Sequence, residues 1–287
     1  MGRHRVTGGA RSAAFAALLV LLPGCGGAGQ DSAPTTSASV PEPPPATSTV
    51  TPAPTTAPPS APPSAPPAPT TTARVGEAQE AEVISRGDPN RRIVALTFDA
   101  GADTGFTADI LDTLARAGIR SSFGLTGVWA EDNPDLVRRI VADGHHLINH
   151  TWDHSSFTGV SARPAVTGRA ARHDQLERTE RVLAGLTGRS TKPWFRPPYG
   201  DYDASVNADV AAAGYRYNVL WTVDSLGWQG LSPTAIAARC LERAVPGAIY
   251  LFHVGQQSQD AAALPAVIAG LRQSGYDFGT VPEVVGT

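Results

Sequence analysis

From about residue 83 onward, short apolar runs alternate with longer stretches whose apolar residues recur every three or four positions. Ile93-Val94-Ala95-Leu96-Thr97-Phe98 is too short for a helix and predicts a buried strand. Thr107 to Ala117 follows as a helix with Ile110, Leu111 and Leu114 on one face, and Gly118 ends it. The same reading predicts strands at 121–126, 146–149, 194–196, 215–221 and 248–253, with a short one near Phe278. It predicts helices at 134–143, 169–186, 204–213, 233–243 and 261–274. Repeated strand-then-helix units imply a parallel sheet with helices outside. About seven units without a dinucleotide-binding glycine fingerprint favour an α/β barrel over an open sheet.

Composition changes the picture at the front of the chain. Arg3, His4, Arg5 and Arg11 precede an apolar run from Ala13 to Leu22, which has the form of an export signal and is too short to span a bilayer. Leu21-Leu22-Pro23-Gly24-Cys25 reads as a bacterial lipobox, so residues 1–25 are expected to be a lipoprotein-type signal peptide and Cys25 the lipidated residue. Pro23 stands where Ala or Ser is usual, which leaves plain secretion as the alternative. Residues 26–82 read as a disordered linker, because 14 of the 25 prolines fall between Pro34 and Pro69 among Thr, Ser and Ala. The folded domain is then 83–287. Cys240, at an apolar helix position, reads as a small buried hydrophobe. The net charge of −3, with no basic run past the N-terminus, argues against a nucleic-acid partner.

Chemistry-bearing residues fall at the strand ends. Asp99 ends the first strand, His150 follows the third, Arg196 ends Trp194-Phe195, Asp224 follows Val223 and His253 closes Tyr250-Leu251-Phe252. In parallel β/α folds the C-terminal strand ends meet in space. His150 and His154, four apart, are expected to meet across one helical turn, where two imidazoles suit zinc or a similar divalent metal.

These segments resemble the polysaccharide deacetylases with a NodB homology domain, carbohydrate esterase family 4. The likeness rests on Thr97-Phe98-Asp99-Ala100-Gly101, His150-Thr151-Trp152-Asp153-His154, Arg196-Pro197-Pro198-Tyr199, Asp224-Ser225-Leu226-Gly227-Trp228 and Leu251-Phe252-His253, and it spans residues 92–284. It implies a distorted (β/α) barrel of about seven parallel strands. It implies N-acetyl hydrolysis on a cell-wall polysaccharide, most simply peptidoglycan, by a water activated at a divalent metal, zinc foremost. His150 and His154 would hold the metal, Asp99 would act as base and His253 as acid, and Arg196 would keep Asp99 ionised. The Tyr199 backbone N–H would steady the oxyanion. Tyr199, Trp228 and Leu251 would wall the substrate groove. Expected partners are the polysaccharide and, through a lipid anchor, the outer face of the membrane. The protein is expected to be a monomer.

Two positions depart from the family pattern. Ala100 replaces an aspartate that normally completes the metal site. Asp103 is the candidate replacement, with a two-histidine site or water as the alternative. Gly227 replaces an aspartate expected to brace Arg196, a role for which Asp224 is the candidate. The first-motif run resembles the muramic-lactam branch of peptidoglycan deacetylases. An O-acetyl esterase and a catalytically inactive wall-binding lipoprotein are the rival readings. Asp99→Asn is expected to abolish activity with the fold intact.

Overall fold

The computed structural model describes residues 80–287. The expected signal peptide, Cys25 and nearly all of the linker lie outside the described residues. Glu82, which composition places in the linker, is instead the first residue of a strand.

The strands are β1 (Glu82–Ile84), β2 (Ile93–Ala100), β3 (Ser122–Leu125), β4 (His146–Asn149), β5 (Trp194–Phe195), β6 (Tyr217–Val219), β7 (Val223–Asp224), β8 (Ile249–His253) and β9 (Asp277–Phe278). The helices are α1 (Thr107–Ala117), α2 (Gly127–Asp132), α3 (Pro134–Ala142), α4 (Arg169–Thr187), α5 (Ala204–Ala212), α6 (Pro233–Glu242), α7 (Asp260–Gln273) and α8 (Val281–Val285). Each predicted helix is present within one or two residues at either end, and Gly118 adopts the left-handed conformation that closes α1. Three elements were not anticipated: β1, α2 and α8. The predicted strand over 215–221 is shorter, and the chain starts a separate strand, β7, at Val223.

All the named strands pair in parallel in the order β1-β6-β5-β4-β3-β2-β8-β7, with β9 added to β2. The sheet curls into a half-barrel with its helices packed around it, and β1 and β7 are its two edges, so it is a distorted (β/α) barrel. The strand β2 is buried on both faces, as expected for a parallel sheet covered on each side. Along β2 the residues alternate: Val94, Leu96, Phe98 and Ala100 join the large apolar cluster with α1, α3 and α7. Thr97 and Asp99 face the other way, into the lumen. Phe98 stacks between Phe123 and Phe252 at centroid distances of 5.2 and 5.5 Å, locking β2 to its neighbours β3 and β8.

Candidate active site

Strand register assembles the site. Asp99 lies opposite Gly124 on β3 and opposite His253 on β8. Leu125 lies opposite Asn149, and Asn149 opposite Phe195. His150 and Arg196 therefore each stand one residue past a strand end, on the same rim. Gly124 is required there, because a Cβ on it would come 2.3 Å from Asp99 Oδ1.

Arg196 is fully buried, with no solvent exposure, and each of its three guanidinium nitrogens donates a hydrogen bond. Its Nη1 donates to Asp99 Oδ1 at 2.8 Å and to Thr97 Oγ1 at 2.9 Å. Its Nε donates to the Val219 carbonyl at 3.0 Å and its Nη2 to that of Leu220 at 3.4 Å. Burial alone would raise the Asp99 pKa, but the charge of the Arg196 guanidinium and its hydrogen bond outweigh it and hold the carboxyl below its ordinary value. Thr97, not foreseen as a site residue, completes this bracing and donates its own hydroxyl hydrogen bond to the Tyr250 carbonyl.

The two histidines do meet, though not across a helical turn. Residues 150–154 form no helix; Thr151 and His154 take left-handed φ values of 67° and 63° instead. Their ring centroids are 4.9 Å apart. The bend is steadied by Gln175 Oε1, which accepts from the backbone N–H of Trp152, and by Asn149 Oδ1, which accepts from that of Thr151. Tyr199 and Leu226, in the other two site loops, are also left-handed non-glycine residues, and such strain gathers at functional sites.

His150 Nδ1 lies 2.9 Å from the Arg196 carbonyl, which can only accept, so Nδ1 carries the proton and Nε2 keeps its lone pair. That Nε2 is 3.5 Å from Asp99 Oδ2. Burial lowers the pKa of both histidines, that of His154 to about 3, so both are neutral donors at neutral pH. Two neutral imidazoles, one of them oriented by a carbonyl, fit a borderline divalent cation. Ala100 offers no third donor, and among the described residues no group of three His, Cys, Asp or Glu side chains converges on one point.

Asp103 does not join this pair. Its Oδ1 accepts the Gln256 N–H at 2.9 Å and its carbonyl accepts Trp129 Nε1 at 2.8 Å, tying the loop after β2 to the loop after β8. Asp224 does not brace Arg196 either. Opposite Leu251 on β8, it accepts from the Leu226 N–H at 2.9 Å and from Trp228 Nε1 at 3.4 Å, and so shapes the loop carrying Trp228. Arg196 has backbone carbonyls in place of the expected carboxylate.

Exposed aromatics flank the rim. Tyr199 packs edge-on to His154 at 4.7 Å, and Trp228 lies 6.3 Å from His253. Leu251 is buried opposite Thr97, below the level of Asp99. The His253 backbone N–H donates to the buried Asp260 carboxylate at 2.8 Å. No local signal marks Asp260 in the sequence, since an acid in the first turn of a helix is ordinary.

The chain matches the family model described as polysaccharide deacetylase over residues 86–218. It is 30% identical over 209 residues to the uncharacterised protein YlxY of Bacillus subtilis (strain 168), covering 73% of this chain and 62% of that protein's length. The solved Bc1960 peptidoglycan N-acetylglucosamine deacetylase superposes with a TM-score of 0.65 at 31% identity, covering 71% of this chain and 93% of that one. BA3943, a CE4 family pseudoenzyme from Bacillus anthracis, superposes with a TM-score of 0.64 at 26% identity, covering 71% and 69%. Taken with the rim of Asp99, His150, His154, Arg196 and His253, these likenesses show that the chain belongs to the polysaccharide deacetylase family of hydrolases.

Proposed function

We propose that this chain removes N-acetyl groups from a cell-wall polysaccharide, with peptidoglycan as the substrate. One observation carries the reading: an ionised carboxylate and an imidazole stand register-paired on neighbouring strands, beside two neutral histidines on the same rim. A divalent cation, zinc foremost, held by His150 and His154 would supply Lewis acidity at the acetyl carbonyl. Asp99 takes a proton from the attacking water, which requires the ionised form that Arg196 maintains. As the carbon–nitrogen bond breaks, His253 gives a proton to the departing nitrogen, because an amine anion is too basic to leave unaided. The products are acetate and a free amine. The Tyr199 backbone N–H is the proposed donor to the developing oxyanion. The exposed faces of Tyr199 and Trp228 suit stacking on sugar rings, and Leu251 is placed to receive the acetyl methyl.

Incubating the purified protein with peptidoglycan and with N-acetyl sugar oligomers tests this reading. Acetate release with one new amine per acetyl lost supports it. Acetate from acetylated xylan alone identifies an O-acetyl esterase instead. A second reading, an inactive wall-binding protein, is favoured by Ala100 and by the likeness to BA3943. Protein that holds no stoichiometric metal and frees no amines establishes that second reading. The proposal includes export, with Cys25 tethering the domain to the outer face of the membrane or the chain released to the wall. Incorporation of labelled fatty acid that is lost in Cys25→Ala tests the tether.

A further inference from the structure

The turn that carries His150 and His154 is gripped by side chains rather than by its own backbone. The N–H groups of residues 151, 152 and 153 take no backbone acceptor. Asn149 Oδ1 accepts from Thr151 at 3.1 Å, and Gln175 Oε1 accepts from Trp152 at 2.8 Å and from Asp153 at 3.3 Å. Asn149 is itself anchored, its Nδ2 donating to the Leu176 carbonyl and to the Tyr215 hydroxyl. Gln175 has a second task. Its Nε2 donates to Asp153 Oδ2 at 3.0 Å, while Asp153 Oδ1 accepts the Ser155 N–H at 3.0 Å. These partners fix which way the amide points: turned over, its NH2 would face two N–H donors and its oxygen a carboxylate. An amide supplies acceptor and donor together. A glutamate of the same length would set a second carboxylate against Asp153.

We propose that Gln175 is the positioning residue of the two-histidine pair, setting the separation at which His150 and His154 meet a divalent cation. The proposal rests on the reading of those histidines as the cation's holders. Thr151 and His154 keep left-handed φ values of 67° and 63°, which non-glycine residues hold only where their surroundings impose them. The two residues between them, Trp152 and Asp153, are the ones that Gln175 grips, and Gln175 is itself only 7% exposed. The two rings differ in how they are held. His150 is oriented by the Arg196 carbonyl, whereas the His154 ring makes no hydrogen bond among the described residues and packs edge-on to Tyr199. The place of His154 therefore follows from the backbone of the turn, and so from Gln175. With Ala100 offering no donor, affinity rests on how firmly two imidazoles are set before the cation arrives.

The test titrates zinc chloride into the metal-free full chain at neutral pH by calorimetry, and the binding lost in His154→Ala defines the site. Gln175→Met removes both hydrogen-bonding groups at similar length and is expected to weaken zinc binding roughly 10- to 100-fold, the range typical of groups that orient metal-binding histidines. Gln175→Glu should also weaken it, by setting two carboxylates together. Gln175→Glu/Asp153→Asn exchanges amide and carboxylate, restores the same hydrogen bonds and should recover most of the affinity. Leu183→Ala opens the core about two turns further along α4. It should lower the urea midpoint and leave zinc affinity unchanged, which separates positioning from loss of stability. Zinc bound as tightly by Gln175→Met as by the wild type overturns the proposal. So does a folded double variant that binds no better than Gln175→Glu, and so does an equal loss of affinity in Leu183→Ala. If the wild type binds zinc no better than His154→Ala, the cation reading itself fails and takes the proposal with it.

Discussion

Asp99→Asn, chosen from sequence as a substitution that silences the site and spares the fold, should also destabilise the protein. Its partner Arg196 is completely buried, and Asp99 is only 7% exposed. Asparagine can still offer an oxygen to Arg196 Nη1, but the guanidinium is left with neutral partners only: Thr97 and the carbonyls of Val219 and Leu220. Charge centres about 4 Å apart attract by about 4 kcal/mol at an effective dielectric of about 20. Breaking a buried pair from one side costs about 3–5 kcal/mol. At a urea dependence of about 2 kcal/mol/M, that lowers the unfolding midpoint by roughly 2 M. Arg196→Met should lose a similar amount, because Asp99 then keeps the burial that raises its pKa without the charge that lowers it. The double variant should be more stable than the sum of the two losses allows, by about 2–3 kcal/mol. Urea unfolding followed by tryptophan fluorescence measures all three. Additivity to within about 0.5 kcal/mol would refute the reasoning, because it would mean that the two charges do not sense each other.

Acid should weaken the fold through His145 and His146. His145 Nδ1 accepts the Ser121 N–H at 3.0 Å, the Nε2 atoms of both rings are buried without partners, and burial lowers both pKa values from 6.5 to about 4. The unfolded chain takes up these protons first, so stability is full above about pH 6.5 and falls as the pH drops towards about 4. His145→Asn keeps the acceptor without the titration and should recover about 2 kcal/mol of the loss at pH 5; identical pH profiles for variant and wild type would count against it. Gly124→Ala places a methyl against Asp99 Oδ1 and should cut kcat sharply, with a stability loss of about 1–3 kcal/mol. Unchanged kinetics would show that the carboxylate has room to move. Removing metal with a chelator should abolish activity and zinc should restore it, while His154→Ala should weaken zinc binding measured by calorimetry; full activity in the chelated protein would exclude the cation's role.

Local pattern carried much of this protein. The helical faces of Ile110, Leu111 and Leu114, the apolar run of β2 and the stop at Gly118 are set by near neighbours, and they stand within a residue or two of where they were expected. The functional row was legible for the same reason: Asp99 and His253 end apolar strands, and parallel strands present their ends together. The short elements were not legible. β1 is three residues long and exists because β6 pairs with it, and the five residues of α8 are held by packing against β2.

Side-chain partners at the rim belonged to tertiary structure alone. Spacing suggested a helical turn between His150 and His154, whereas two left-handed residues, steadied by Gln175 from α4, bring them together. Asp103 and Asp224 lie near the site in sequence, yet each is satisfied by backbone donors in its own loop or the adjoining one. Asp260 and Thr97 carry no local mark of function, and only the packed sheet sets them against His253 and Arg196. Hydrophobic period and chain order, which require no distant contact, were enough to say which residues arrive at the open end of the sheet. Which of them touch was decided only in the folded molecule, where a buried charge or polar atom must take whatever partner the packing leaves within reach.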